Sequence, residues 1–145
     1  MVLDIYFYSN KEEYGWLSNF ERSEEMVDGI IYQTNEHYYQ SEKAVSKDIK
    51  EWIINAPSPY LAMKAGRSLR EKELYPGWND VKFYVMYVGL VAKFTQNPVL
   101  KEKLLNTGSA NLHEDSPDDL IWGVKGEDRL GKLLMKVREE LRVKE

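Results

Sequence analysis

The chain predicts an α+β fold, mainly α-helical, in one domain with a few short strands near the N-terminus. Three observations lead there. Leu130, Leu133, Leu134, Val137 and Leu141 recur at helical spacing and make one apolar face. Helix-start signals, Thr34-Asn35, Asp48, Ser58-Pro59 and Asn97-Pro98, punctuate the middle of the chain. A strand-like stretch opens the chain, where Leu3-Asp4-Ile5-Tyr6-Phe7-Tyr8 is β-branched and aromatic.

Taken in order, the first strand spans 3–8. Asp28-Gly29, set between apolar residues in 25–32, is a hairpin signal and predicts two short paired strands. Thr34 or Asn35 caps a helix that starts at Glu36 and runs to Ala44 or Val45. Asp48 caps a second, over about 49–55, which Pro57 closes. Ser58 caps a third with Pro59 at its first position, running through Ala62, Ala65 and Leu69. Residues 80–96 have strand-like composition but no alternation and too much length, which predicts a buried helix ending at Asn97-Pro98. Pro98 opens a short helix through Leu105. The last helix gathers Lys and Arg late, as its dipole favours.

Composition bounds the function. The 145 residues, 43% hydrophobic and 30% charged, suit one globular core, 1–145. A net charge of −4 gives no global attraction to nucleic acid or an anionic membrane. The chain has no cysteine, which excludes disulfides, thiolate chemistry and Cys-type zinc sites and fits a reducing compartment. No apolar run spans a bilayer and the start has no signal-peptide pattern, so a cytoplasmic protein with no membrane partner is expected. Four Trp and ten Tyr fill a core or stack on flat rings.

Two segments carry candidate chemistry. On a helix, Glu36, Gln40 and Lys43 share one face, with Tyr39 at its border. The stripe is either a solvated face or a site with Glu36 in the first helical turn, where the dipole favours an ionised carboxylate. Glu36-His37 is half of a zincin motif, but position 41 is Ser and the other histidine is His113, so no metal is expected. The second segment, Glu114-Asp115-Ser116-Pro117-Asp118-Asp119-Leu120-Ile121-Trp122-Gly123, lacks the EF-hand spacing. It reads either as a capped turn with acidic residues at a helix start or as an acid, Asp119, set with Trp122 to grip a base. Gly123-Val124-Lys125-Gly126 is too short a pattern to define a phosphate loop.

Together these residues resemble the YbiA-like (NADAR) superfamily. The resemblance rests on Tyr14-Gly15, Leu17-Ser18-Asn19-Phe20, Thr34 to Gln40 with Lys43, Ala65-Gly66-Arg67, Trp78 and Ala92-Lys93-Phe94. It continues through Ser116-Pro117-x-Asp119-x-x-Trp122-Gly123, Leu130-Gly131-x-Leu133-Leu134-Met135 and Arg138. It covers about residues 5–142 and implies a mainly helical N-glycosidase that needs no metal or cofactor. Implied substrates are ribosylated pyrimidine intermediates of riboflavin synthesis or ADP-ribosylated guanine, free or in nucleic acid. Glu36, Trp78, Asp119 and Trp122 match the family's pocket positions. Lys43 and Arg67 also match family positions, and we read one or the other as binding a 5′-phosphate, with a structural salt bridge as the equal alternative for Arg67. Asn19 and Gly123, within the matched motifs, are further binding positions.

One departure stands out. The loop between Trp122-Gly123 and Leu130-Gly131 is short, Val124 to Arg129, and Asp128 replaces the family's usual Asn. If that loop meets a phosphate, Asp128 repels it. A non-catalytic ADP-ribose or nucleotide-binding module is therefore the alternative. The catalytic reading assigns Glu36 to the water or the oxocarbenium-like cation and Asp119 to the base or the ribose hydroxyls, in that order or the reverse. It expects both acids and both indoles to converge in one cleft.

Overall fold

The computed structural model describes residues 2–143. In chain order the elements are β1 (Asp4–Phe7), a 3₁₀ turn (Gly15–Leu17), β2 (Glu25–Val27), β3 (Ile30–Tyr32), α1 (Asn35–Glu42), α2 (Lys47–Ile54) and α3 (Pro59–Arg67). A second 3₁₀ turn (Glu71–Glu73), α4 (Trp78–Gln96), α5 (Pro98–Asn106), β4 (Asn111–Glu114) and α6 (Arg129–Val143) complete the chain. The architecture is the mainly helical α+β class expected. No helix among the described residues is long and apolar enough to cross a membrane.

The chain folds as two compact units, and α4 belongs to both. One unit is continuous, Arg22–Lys93; the other joins the residues up to Glu21 with those from Phe94 onward.

The continuous unit starts with the expected hairpin. Asp28 and Gly29 both have positive φ, 52° and 82°, the backbone of a type I′ turn that matches strand twist. The register pairs Glu25 with Tyr32 and Val27 with Ile30. α1 starts one residue earlier than expected because Thr34 is its cap, accepting the His37 N–H through Oγ1 at 3.1 Å. It ends at Glu42, short of the Ala44 or Val45 expected. α2 differs as well. Its cap is Ser46, not Asp48, which lies in the first turn where a carboxylate suits the dipole. α3 starts as predicted with Ser58 capping and Pro59 first, but ends at Arg67, before Leu69. Ile53, Ala56 and Ala62 form a small core between α2 and α3, and α1 packs against both helices. α4 is the helix predicted over 80–96, begun two residues sooner.

The discontinuous unit is held by a strand that the sequence reading missed. β4 pairs with β1 in parallel, Asp4 opposite Asn111 through Phe7 opposite Glu114. α6 packs on β4 and α5 on α6, burying Leu112, Leu130, Leu134, Val137 and Leu141 with Phe7 and Leu104. At the start of α6, Gly131 lies so close to β4 that a Cβ there would overlap the Leu112 carbonyl. Arg138 is buried and donates to Thr107 Oγ1 at 2.9 Å.

Candidate active site

In the continuous unit the site is built on α1. Asn35 to Ser41 are all buried, so the polar stripe is not a solvated face. Its members are held in different ways. His37 is fully buried and bonded on both nitrogens: Nδ1 lies 2.8 Å from Thr34 Oγ1, and Nε2 lies 3.0 Å from the Ala56 carbonyl. The carbonyl can only accept, so Nε2 carries the proton and the Thr34 hydroxyl donates to Nδ1. Burial, the larger influence, lowers the His37 pKa. This histidine joins α1 to the end of α2 and is a structural residue.

Glu36 is 8% exposed, in the first turn of α1. Its Oε2 accepts a 2.7 Å hydrogen bond from Gln40 Nε2, one turn on. Tyr39 lies between two other predicted residues. Its ring is 5.4 Å from that of Trp78 at a 54° tilt, and the Lys43 ammonium is 5.4 Å from its centroid. Trp78, the first residue of α4, is 8% exposed. Glu36 stands in the first turn of α1 and Lys43 caps its C-terminal end, with Tyr39 linking Lys43 to Trp78. Arg67, in the last turn of α3, is exposed and joins none of these contacts. Its neighbour Gly66 is the residue that meets α1, against the Gln40 side chain.

In the discontinuous unit Asp119, Trp122 and Gly123 lie in one run of turns, with no helix between Pro117 and α6. Asp119 Oδ1 accepts the N–H groups of Ile121 at 3.0 Å and Trp122 at 2.9 Å, and Ser116 Oγ accepts the N–H of Asp119 at 3.2 Å. One carboxylate oxygen thus shapes the turn that carries Trp122, while Oδ2 lies outside it. Gly123 is buried. A Cβ there would meet the Asp119 carbonyl at 2.6 Å and Glu114 Oε2 at 3.0 Å. Asn19 is also buried, two residues past a 3₁₀ turn whose Trp16 ring meets Phe94 edge-on.

The short loop folds on itself. The N–H of Val124 bonds to the Glu114 carbonyl, those of Gly126 and Asp128 to Gly123, and that of Glu127 to Leu120. These donors do not point at a phosphate. Asp128 is committed as well: its Oδ2 is 2.7 Å from His113 Nδ1, and Asp4 Oδ1 is 2.9 Å from Nε2 of the same ring. Tyr6 stacks on that ring at 4.9 Å. Burial alone would lower the His113 pKa, but its hydrogen bonds to Asp4 and Asp128 outweigh burial and raise it. Asp128 therefore ties a positive-φ turn to β4 through its hydrogen bond with His113.

Two perturbed carboxyls escaped the sequence reading. Burial, reinforced by Asp119 and its acidic neighbours, pushes Glu114 up to about 7 against a hydrogen bond from the Ser116 backbone. Glu25 is 1% exposed, and burial pushes it up to about 8 although the nearby Lys93 charge acts the other way. Glu114 was legible only as one member of an acidic run. Glu25 sits in a strand whose alternation would have put Met26 inside.

Comparison with known proteins first gives the class. The N-glycosidase YbiA of Escherichia coli is 41% identical over 143 residues, covering 96% of this chain and 89% of that protein. A riboflavin biosynthesis protein of Vibrio vulnificus is 35% identical over 145 residues, 97% of this chain and 39% of its own length. The NMR structure of E. coli YbiA matches with a TM-score of 0.90 at 40% identity, covering 99% of this chain and 88% of the other. The class is that of the N-glycosidases. The NADAR domain model matches residues 6–142 in one stretch, and the chain belongs to that family.

Proposed function

We propose that this N-glycosidase hydrolyses the bond between a ribose and a flat nitrogen base, with Glu36 and Asp119 as its acid–base groups. The observation that carries the reading is the buried Glu36 carboxylate, fixed by Gln40 on the helix that also presents Tyr39, Lys43 and, through Tyr39, Trp78. Loss of the base leaves positive charge on the ribose ring oxygen and anomeric carbon. A fixed carboxylate stabilises that charge or aligns the water that ends it. The water's hydroxyl joins the anomeric carbon and its proton is passed on, while the base leaves with the bonding electron pair and takes up a proton.

Glu36 supplies the carboxylate at the sugar. Asp119, through Oδ2, protonates the base or holds the ribose hydroxyls. Trp78 and Trp122 stack on the base, and Asn19 and Gly123 line the binding surface. Lys43 meets a phosphate, and Arg67, which is exposed, would bind the outer part of a larger substrate such as an ADP-ribosyl group. The name of the Vibrio relative points to a ribosylaminopyrimidine phosphate as the first substrate to test. ADP-ribosylated guanine, free or in nucleic acid, is the second.

Glu36→Gln keeps the fold and lowers turnover at least ~100-fold, the scale of a lost acid–base group. The measurement is chromatographic release of base from a panel of ribosylaminopyrimidine phosphates, ADP-ribosyl-guanine compounds and NAD. Near-normal turnover by this variant removes Glu36 from the mechanism. The non-catalytic module rested on Asp128 repelling a phosphate, and the pairing of Asp128 with His113 takes that support away. Ligand protection against heat without base release from any compound would restore the module.

A further inference from the structure

We propose that Gln40 is the positioning residue for the Glu36 carboxylate, and that Gly66 on α3 exists to make room for it. The inference rests on the catalytic role given above to Glu36. Gln40 is 3% exposed, and its amide makes one hydrogen bond, from Nε2 to Glu36 Oε2 at 2.7 Å. Its Oε1 is buried with no hydrogen-bond partner. The orientation of the amide is fixed by chemistry, since only the NH₂ end can face a carboxylate oxygen. A buried acceptor left unpaired costs stability, and a methionine or leucine would fill the same space without that cost. The one thing the amide does that an apolar side chain cannot is hold Glu36.

Gly66 points the same way from the neighbouring helix. It lies inside α3, where glycine is a poor helix former. A Cβ at this position would overlap Gln40 Oε1, lie 2.7 Å from Gln40 Cδ and 3.0 Å from its Cβ. Alanine at 66 therefore displaces the amide head from Glu36. One donated hydrogen bond to the ionised carboxylate fixes its rotamer and favours its charged form, so losing the bond raises the Glu36 pKa.

The test uses the full chain with Gln40→Met, Gln40→Glu and Gly66→Ala, and a ribosylaminopyrimidine 5′-phosphate as probe. Gln40→Met and Gly66→Ala should lower kcat about 10-fold or more with KM changed less than about threefold. The acid limb of the kcat/KM profile should move to higher pH, furthest in Gln40→Glu, where a second carboxylate opposes the first. A merely structural glutamine would lower the melting temperature and leave that limb in place in Gln40→Met and Gly66→Ala, and this result overturns the proposal.

A second readout needs no turnover: titration of the Glu36 side-chain carboxyl by ¹³C NMR, assigned with Glu36→Gln. An upward shift in folded Gln40→Met or Gly66→Ala supports positioning, and an unchanged titration in whichever of these two folds refutes it, Gln40→Glu serving as the control that a like charge is felt. The two readings also fail separately. Full activity in Glu36→Gln sinks the catalytic assignment, whereas inactivity of Glu36→Gln beside normal kinetics in Gln40→Met sinks only the role of Gln40.

Discussion

Glu25→Gln should make the protein increasingly more stable than wild type as pH rises from about 4.5 to about 8, and leave it nearly unchanged below about pH 4.5. Glu25 is buried at the start of β2 opposite Tyr32, and neither carboxylate oxygen has a hydrogen-bond partner. The groups that act on it are few. Lys93, fully buried, pulls the pKa down, but burial wins and takes it from an ordinary 4.5 to about 8. Tyr32 and Tyr38 lie close enough to feel its charge, and burial holds both above their usual range, so they stay neutral through the window. The sign follows from linkage. The native state keeps a proton on Glu25 that the unfolded chain releases near pH 4.5, so this stability is whole below pH 4.5 and is lost as pH rises through about 8. The slope is ~1.4 kcal/mol per pH unit, which makes the loss between pH 6 and pH 8 about 2 kcal/mol. Glutamine is neutral at every pH, close in shape, and mimics the protonated acid. Urea unfolding of wild type and Glu25→Gln at intervals from pH 5.5 to 9 reads the difference, and histidine titrations common to both cancel. Parallel stability curves would show that Glu25 is ionised in the native state and that the reasoning is wrong.

Three further outcomes are expected. Trp78→Ala, losing a buried ring packed on Tyr39, should cost about 3–5 kcal/mol in urea unfolding. Trp78→Phe should keep most of that stability and weaken binding of the probe nucleotide several-fold in a fluorescence titration, separating packing from stacking. His113→Asn should destabilise most below pH 6.5 and progressively less as pH rises through the elevated histidine pKa, because the clamp between Asp4 and Asp128 is strongest when the ring is charged. Gly131→Ala should destabilise by about 1–2 kcal/mol in thermal or urea unfolding, since overlap with the Leu112 carbonyl outweighs the better helix propensity of alanine.

The elements legible in the sequence were those whose causes are local. Asp28-Gly29 can serve a hairpin, Ser58-Pro59 can open a helix, and the leucine spacing of α6 needs one buried face, all without knowledge of distant residues. β4 was missed because Asn111-Leu112-His113-Glu114 has no strand composition and becomes a strand only by pairing with β1. Asp48 was read as the cap of α2, but Ser46, two residues earlier, fills that position, and a polar residue near a helix start does not by itself fix which one caps. At the site, spacing put Glu36, Gln40 and Lys43 on one face but could not show that this face is buried. The tasks of Asp128 and Glu25 were beyond reach for a different reason. Each depends on a partner or a burial that only the folded chain supplies, and charged residues read from sequence alone default to solvent.

The pairing of β1 with β4 also sets an order of events. Asp4 and Asn111, directly opposite in the register, are joined by more than two-thirds of the chain. A ribosome that has released the hairpin and the first three helices has already delivered contacts that close over short loops. The opening strand must meanwhile wait, exposing Phe7, which the folded unit buries, until its mate is translated. Nascent chains stalled before position 111 would therefore carry an unpaired strand edge, the place where chaperones or aggregation would act first.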